Sequence, residues 1–129
     1  MDLLLDTHAL LWWFTDDPQL GREARAALLD RRNRVRVSTV TAWEIATKFR
    51  LGKLPTAEDL LQDFGGYVVR EGFELLALGL AEALRGGSLP GPHKDPFDRM
   101  LIAQALELDL LLVTNETEFE RYGVERVWG

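Results

Sequence analysis

Two short apolar runs, each followed at once by polar residues, constrain most strongly what this chain can fold into. The first covers residues 3–5, all leucine, and leads into Asp6 and Thr7; the second covers residues 110–113 and leads into Thr114. A strand that is apolar along its whole length must be covered on both faces, as strands are in parallel sheets flanked by helices. The runs therefore predict an α/β fold with a central, mostly parallel sheet.

The rest of the chain alternates between strand-like and helix-like stretches. We predict further strands at residues 34–38, 73–78 and 124–128, which gives a sheet of four to five strands. Helices are predicted at residues 8–14, 19–31, 79–85, 95–108 and 117–122, with a glycine- and proline-rich loop at 86–93. This order of elements predicts three α/β/α layers, with helices on both faces of the sheet.

Two more helices are predicted from the spacing of their apolar residues. In the first, after the strand at 34–38, four residues at i, i+3, i+4 and i+7 predict one buried stripe: Ala42, Ile45, Ala46 and Phe49. Gly52 and Pro55 end this helix. Thr56 is predicted to cap the second helix, whose inward residues are Leu60, Leu61, Phe64 and Val68.

The composition predicts one globular domain over residues 1–129, since 47% of the residues are hydrophobic and 28% are charged. No apolar run approaches the roughly 20 residues that cross a bilayer, so we expect no membrane partner. The absence of cysteine excludes disulfides, thiolate nucleophiles and cysteine-rich zinc sites. The first residues lack the basic start and cleavage site of a signal peptide, and we therefore expect a cytoplasmic protein.

The net charge of −6, from 21 acidic and 15 basic side chains, is unusual for a protein that binds nucleic acid. A metal site that gathers several acids, or a basic patch apart from them, would remove the difficulty. Four arginines within six positions are either such a patch or a solvated helix end favoured by the helix dipole. They are Arg31, Arg32, Arg34 and Arg36.

Polar residues follow three of the predicted strands at the point where each strand ends. Asp6 and Thr7 follow the first, residues 38–39 follow the second, and residues 114–116 (Thr-Asn-Glu) follow the strand at 110–113. In open α/β sheets, ligands bind beyond the carboxyl ends of the strands. We therefore expect these side chains to meet at one edge of the sheet.

Three more acids are predicted to reach the same edge: Glu44 from the helix after the second strand, and Asp95 and Asp98 from the start of the helix at 95–108. Converging carboxylates repel one another unless a cation is present, and hard oxygen ligands suit Mg²⁺ or Mn²⁺. Such ions bind a phosphodiester and lower the pKa of bound water. The site predicts phosphoryl hydrolysis, with Thr7 and Thr114 orienting carboxylates or water.

Each acid also has an ordinary structural interpretation. Thr41 and Glu44 have the spacing of a capping box, and Glu44 and Lys48 have that of a surface ion pair. Asp95 stands where a helix cap is expected, directly before a proline, and is more readily interpreted as a cap than as a metal ligand. Asp6 fits the cap of the helix that follows it.

The histidines and tryptophans leave further alternatives open. Histidine can act as general acid and base, so His8 and His93 would allow a metal-free ribonuclease, although nothing in the sequence places them together. The tryptophans suit either stacking on bases or, more commonly, the core and interfaces. They are Trp12, Trp13, Trp43 and Trp128.

Four segments resemble the PIN-domain family, and more narrowly its VapC-type toxins of toxin–antitoxin pairs. They are residues 3–12 (LLLDTHALLW), 37–54 with the motif WEIA at 43–46, 93–105 (HKDPFDRMLIAQA) and 112–124. These segments span nearly the whole chain in the family's order. Any one of them is weak, but the combination is specific.

The resemblance implies a PIN-like fold and a Mg²⁺- or Mn²⁺-dependent endoribonuclease. The family's metal-binding acids fall on Asp6, Glu44 and Asp98, and a fourth, usually Asp, falls on Glu116. The longer Glu116 side chain moves the carboxylate by about one bond length, which favours binding through water. The resemblance also implies a homodimer, an RNA substrate and a small VapB-type antitoxin that blocks the site.

On this basis Asp6 and Asp98 are expected to hold the metal, with Glu44 as a third ligand or as the base for an attacking water. Lys48 and Arg99 are candidate phosphate contacts, although both also fit surface ion pairs.

Three other functions remain open at this point. They are a PIN nuclease of RNA maturation outside toxin systems, a catalytically inactive PIN-like binding module, and a phosphohydrolase that forms an aspartyl-phosphate on Asp6. The last of these usually needs a second acid two positions on, where His8 stands.

Overall fold

One five-stranded, all-parallel sheet organises the chain, and the computed structural model describes all of residues 1–129. Its strands are β1 (Asp2–Leu5), β2 (Arg34–Ser38), β3 (Glu74–Leu76), β4 (Leu111–Val113) and β5 (Arg126–Val127). They lie in the order β3-β2-β1-β4-β5, and each neighbouring pair is parallel. The prediction of a mostly parallel sheet of four to five strands is confirmed.

Seven α-helices surround the sheet: α1 (Thr7–Phe14), α2 (Arg22–Leu29), α3 (Thr39–Arg50), α4 (Glu58–Gln62), α5 (Phe64–Arg70), α6 (Leu80–Ser88) and α7 (Pro96–Leu108). Two 3₁₀ segments, Pro55–Ala57 and Thr117–Tyr122, complete the structure. None of the helices combines the length and the apolar character that a bilayer crossing requires.

The two faces of the sheet carry separate apolar cores, which explains the uninterrupted leucine run of β1. Leu3 and Leu5 belong to the core that also contains residues of α1, α2 and α5. Leu4 points to the other face, into a core built with Leu101 and Ile102 of α7. Each β1 leucine is fully buried, as expected when successive side chains of a strand alternate between two covered faces. The predicted three-layer architecture is confirmed.

The chain leaves β1 in one direction and later returns to its other side. β2 and β3 add to one edge of β1, whereas β4 and β5 add to the opposite edge. In doubly wound sheets, the crevice at such a reversal is where ligands bind, outside the carboxyl ends of the two central strands. Here that crevice lies between the ends of β1 and β4.

The predicted helix after Thr56 is instead two short helices. Asp63 separates α4 from α5, with an extended φ of −151°, and its carboxylate accepts a hydrogen bond from the Gly66 backbone at 3.2 Å. A Cβ at Gly66 would lie 2.1 Å from Asp63 Oδ2, so a larger residue there would displace the capping carboxylate. The predicted cap at Thr56 is wrong, because Thr56 lies inside a 3₁₀ segment and α4 begins without a side-chain cap.

The buried face of α3 also differs from the predicted apolar stripe. Ser38 caps this helix by accepting a hydrogen bond from the Val40 backbone at 3.0 Å, so Thr41 lies inside the helix and forms no capping box with Glu44. The buried residues of α3 are Val40, Thr41, Glu44 and Ile45, while Ala46 is exposed. Two polar side chains therefore point inward where apolar spacing predicted alanines.

Candidate active site

Asp6 occupies the crevice between β1 and β4 and is only 3% exposed. Its backbone N–H donates to Val113 at 3.0 Å, which extends the pairing of the two strands by one step. Its carboxylate caps α1 by accepting from the Thr7 backbone at 2.7 Å, and its other oxygen accepts from Thr114 Oγ1 at 2.7 Å. Asp6 is therefore a helix cap and a fixed, buried carboxylate at the same time.

Glu44 reaches the same crevice from α3 and is 2% exposed. Its Oε1 accepts a hydrogen bond from Thr7 Oγ1 at 2.7 Å, and that hydroxyl lies 3.3 Å from Thr41 Oγ1. Its Oε2 forms an ion pair with Lys48, one turn further along α3. Because Thr7 bonds Asp6 through its backbone and Glu44 through its hydroxyl, one residue links the two carboxylates.

Asp98 lies in the first turn of α7, and Asp95 caps that helix. Asp95 accepts from the Phe97 and Asp98 backbones at 2.8 and 3.1 Å, which confirms its predicted role as a cap. The Asp98 carboxylate is partly buried, and its Oδ2 lies 2.8 Å from His93 Nε2. The His93 ring in turn packs edge-on against Phe119, with ring centroids 5.6 Å apart.

The three carboxylates influence one another's ionisation. Burial raises the pKa of Asp98 to about 7, against the lowering effect of His93, and the charges of Asp6, Asp95 and Glu44 raise it further. Burial also raises the pKa of Asp6, although the hydrogen bond from Thr114 opposes this rise and the charge of Glu44 adds to it. The cluster therefore holds more negative charge than its surroundings stabilise.

Lys48 is the cation nearest to this excess of negative charge. Burial lowers the pKa of Lys48, but the hydrogen bond and charge of Glu44 outweigh this effect, and Asp95 and Asp98 add to it, so the pKa is raised overall. Lys48 is thus held as the partner of a buried carboxylate and not as the exposed half of a surface ion pair.

The donor set fits a hard divalent cation. Its members are carboxylate oxygens, which Mg²⁺ and Mn²⁺ prefer, and burial raises the pKa of Asp6 and Asp98 because their ionised forms have lost water that a cation would replace. No three of the acidic and histidine side chains enclose a metal position in their present rotamers. Asp6, Glu44 and Asp98 are the side chains that would hold the ion.

The side chains of two other predicted site residues make no hydrogen bond or ion pair with the three carboxylates. The guanidinium of Arg99 donates to the backbone oxygens of Gly86, His93 and Leu89 and so binds the loop before α7. Glu116 is exposed, and its carboxylate forms no hydrogen bond or ion pair. Only its backbone N–H joins the site, by donating to Thr114 Oγ1 at 3.1 Å.

The two histidines make no contact with each other, although the charge of His8 also lowers the pKa of Asp6. His93 lies against Asp98, whereas His8 is exposed and packs near Trp12, with ring centroids 5.5 Å apart. Of the four basic residues at 31–36, Arg32 and Arg34 form ion pairs with acids outside the site.

Three tryptophans belong to the core, as aromatic residues more commonly do. Trp12 packs on Trp128 and Trp13 on Phe73, each pair with centroids 5.8 Å apart. Trp43 differs, because 57% of it is exposed even though it meets Phe97 edge-on at 5.0 Å.

Thr41 and His93 are site residues that the sequence does not assign to this cluster. Thr41 shares the Glu44 face of α3, three positions earlier, which is the one signal that pointed to it. His93 comes from an irregular loop, where no periodic pattern indicates the direction of a side chain.

Fold and site together define an α/β protein with buried acids at the reversal of a doubly wound sheet. The sequence model of the PIN domain matches residues 3–125, and the chain therefore belongs to the PIN domain family. A curated relative, Ribonuclease VapC16 of Mycobacterium tuberculosis, is 53% identical over 36 residues. That match covers 28% of this chain and 26% of the relative.

Solved structures of similar fold cover the chain much more fully. VapBC2 from Rickettsia felis, bound to a promoter DNA fragment, gives a TM-score of 0.73 at 18% identity over 100% of both chains. VapBC-1 from nontypeable Haemophilus influenzae gives 0.64 at 17% identity, over 98% of this chain and 97% of that one. FitAcB from Neisseria gonorrhoeae gives 0.64 at 22% identity, over 96% and 95%. At these identities the likeness establishes the fold.

Proposed function

We propose that this chain is a Mg²⁺- or Mn²⁺-dependent endoribonuclease and the toxin of a VapBC-type pair. The observation that carries the proposal is the burial of Asp6 and Glu44 beside Asp98, at the sheet reversal of a PIN domain. Burying uncompensated carboxylates costs stability, so such a cluster is a candidate for function. The short match to a ribonuclease of the VapC type supports the reaction class.

Each residue of the cluster has a distinct task in hydrolysis. A divalent cation held by Asp6 and Asp98 would bind the scissile phosphate, lower the pKa of a water and stabilise the leaving oxygen. Glu44 is a third ligand or takes the proton of the attacking water. Thr7 and Thr114 keep Glu44 and Asp6 in place through their hydroxyls. Glu116, being exposed, would reach the ion only through water.

The test is RNA cleavage by the purified chain, free of any antitoxin, with and without Mg²⁺ or Mn²⁺. The Asp6→Asn variant is assayed beside it, with metal binding read by calorimetry in the same samples. We expect metal-dependent cleavage that falls by at least about 100-fold in Asp6→Asn, because loss of even an outer partner of a metal ligand costs 10- to 100-fold. Circular dichroism confirms that the variant is folded.

The outcomes separate this proposal from its alternatives. An Asp6→Asn variant that cleaves at the wild-type rate would remove Asp6 from the site. Absence of both cleavage and metal binding would favour an inactive binding module. Cleavage without an antitoxin gene beside the chain's own gene would favour an RNA-maturation nuclease.

Partners of the chain are part of the same proposal. The structural neighbours are solved as VapBC and FitAcB complexes, which supports a VapB-type antitoxin as partner and a homodimer of this chain. Leu80 and Leu84, one turn apart on α6, are 77% and 64% exposed and offer apolar surface for such contacts. Light scattering of the purified chain tests the dimer, and co-purification with the neighbouring gene product tests the antitoxin.

A further inference from the structure

A small pocket adjoins the carboxylate cluster, on the opposite side of the His93 ring. It has a volume of about 220 Å³ and is lined by Pro92, His93, Lys94, Glu118, Arg121 and Tyr122. Nε2 of His93 lies 2.8 Å from Asp98, whereas Nδ1 faces the pocket and lies 3.9 Å from Glu118 Oε2. One imidazole ring therefore separates the pocket from the candidate active site.

The pocket is held in shape by contacts that do not depend on a ligand. The Tyr122 hydroxyl accepts a hydrogen bond from the His93 backbone at 2.9 Å, and Arg99 donates to the His93 carbonyl at 2.9 Å. Gly91, with φ of +128°, lies so close to Tyr122 that a Cβ there would be 2.5 Å from the ring. The tyrosine ring is thus fixed between Gly91 and the His93 backbone.

The free hydrogen-bond donors of the pocket suit an anion. Lys94 and Arg121 are exposed and form no ion pair, and the Tyr122 hydroxyl proton is donated to no protein acceptor. Glu118 is the one acid in the lining, and it is 65% exposed. This local surplus of cations contrasts with the chain's net charge of −6 and with the acidic cluster beyond His93.

We propose that this pocket binds a backbone phosphate of the RNA substrate, next to the phosphate that is cleaved. The inference rests on the proposed ribonuclease function. Phosphate oxygens accept hydrogen bonds from arginine, lysine and tyrosine, and such contacts fix the position of a strand without reading its sequence. A strand with one phosphate at the carboxylates brings a neighbouring phosphate past His93 to Lys94 and Arg121, and Tyr122 donates its hydroxyl proton to it.

The closing experiment compares the double variant Lys94→Ala/Arg121→Ala with a control of equal charge change, Arg22→Ala/Lys53→Ala. The control residues are also exposed and without ion pairs. Binding of a fluorescein-labelled single-stranded RNA of about 12 nucleotides is followed by anisotropy in EDTA, where no cleavage occurs. Titrations at several salt concentrations give the slope of log affinity against log salt.

The pocket variant is expected to bind RNA about tenfold more weakly, and its salt slope is expected to fall by about 0.7 for each lost phosphate contact. The control is expected to keep the wild-type slope. Glu118→Gln removes the opposing charge and is expected to strengthen binding about twofold. In Mg²⁺, the pocket variant is expected to raise KM for RNA while kcat stays near the wild-type value, because these contacts are the same in ground and transition states.

Three results would overturn the inference. If the pocket variant and the control bind RNA equally while wild type cleaves it, the pocket is not a substrate site and the ribonuclease proposal stands. If inorganic phosphate displaces the labelled RNA at concentrations as low as those at which unlabelled RNA does, the pocket binds a free anion and not an RNA strand. If wild type neither binds nor cleaves RNA in Mg²⁺, the proposed function fails and this inference fails with it.

Discussion

The amino ends of the parallel strands form one edge of the sheet and their carboxyl ends form another, and these two edges differ in how deeply their acidic side chains are buried. At the amino edge of β1 and β4 lies a cavity of about 360 Å³, yet the acids that line it, Asp2, Asp109 and Glu125, are all exposed. At the carboxyl edge, Asp6 and Glu44 are almost fully buried and the pKa of Asp98 is raised to about 7. Burial of charge, and not the size of a cavity, distinguishes the functional edge.

The strongest test of this difference is to replace one aspartate by asparagine at each edge. Asp98→Asn is expected to lower RNA cleavage by at least about 100-fold, because it removes a proposed metal ligand. Asp109→Asn is expected to leave cleavage unchanged, since Asp109 has the left-handed conformation (φ 55°) that asparagine tolerates. Initial rates in Mg²⁺ measure both; an equal loss at Asp109 would refute the assignment of function to one edge.

A second test removes the cation that stabilises the carboxyl edge. Lys48→Met leaves Glu44 buried without its partner and is expected to lower the free energy of unfolding by about 3 kcal/mol in EDTA. Lys53→Met, on an exposed lysine, is expected to change it by less than about 0.5 kcal/mol. Urea unfolding measures both.

Added Mg²⁺ extends the Lys48 test. It is expected to raise the Tm of Lys48→Met by more than that of wild type, because the ion supplies the missing charge to Glu44. An equal rise in the two proteins would argue against Glu44 as a ligand.

A third test uses pH. The pKa of Asp98 rises from 3.8 in the unfolded chain to about 7 in the folded one, so the folded state binds the proton more tightly. The contribution of Asp98 to the free energy of unfolding is therefore fully present below about pH 4 and is lost as pH rises to about 7. In EDTA, wild type is expected to lose stability relative to Asp98→Asn over this range, measured as the difference between their thermal unfolding curves.

If the difference in thermal stability between wild type and Asp98→Asn stays constant from pH 4 to pH 8, the pKa of Asp98 is the same in the folded and unfolded chain. With Mg²⁺ at pH 8, the difference is expected to shrink or reverse, because the ion binds the ionised carboxylate.

The smallest expected effect lies at the amino edge. Asp109 ends α7 in a left-handed conformation that glycine adopts without strain, so Asp109→Gly is expected to stabilise the protein by about 0.5 kcal/mol. Cleavage is expected to stay at the wild-type rate. Urea unfolding and initial rates check these two statements, and a stabilised variant with reduced cleavage would link the two edges.

The sequence predicts the strands and the position of Asp6 and Thr7 well. A strand that is buried on both faces has a continuous apolar sequence, and the polar residues that follow mark its end. It predicts the buried face of α3 poorly. Apolar spacing correctly assigns Ile45 to that face, but it also assigns Ala46, which is exposed, and it gives no sign of Thr41. Thr41 and Glu44 are buried where they meet Thr7 across the crevice, and Glu44 is predicted there only from its position after the second strand.

The loop before α7 shows a second limit of sequence-based prediction. In sequence, Arg99 is equally suited to a phosphate contact and to a structural role, because its charge is the same in both. In the structure its guanidinium meets three carbonyl oxygens of residues 86–93. The loop has no periodic pattern, so neither these bonds nor the placement of His93 on Asp98 could be predicted from it.

The hydrogen bond from Thr114 to Asp6 has a consequence for the order in which the molecule is made. The two residues are 108 positions apart, and the strands that carry them are direct neighbours in the sheet. During synthesis, Asp6 emerges long before Thr114, and loop closure of this length must precede their contact. A nascent chain that has not yet released β4 carries Asp6 without the Thr114 hydroxyl that fixes its carboxylate, so the acidic cluster is completed only late in translation.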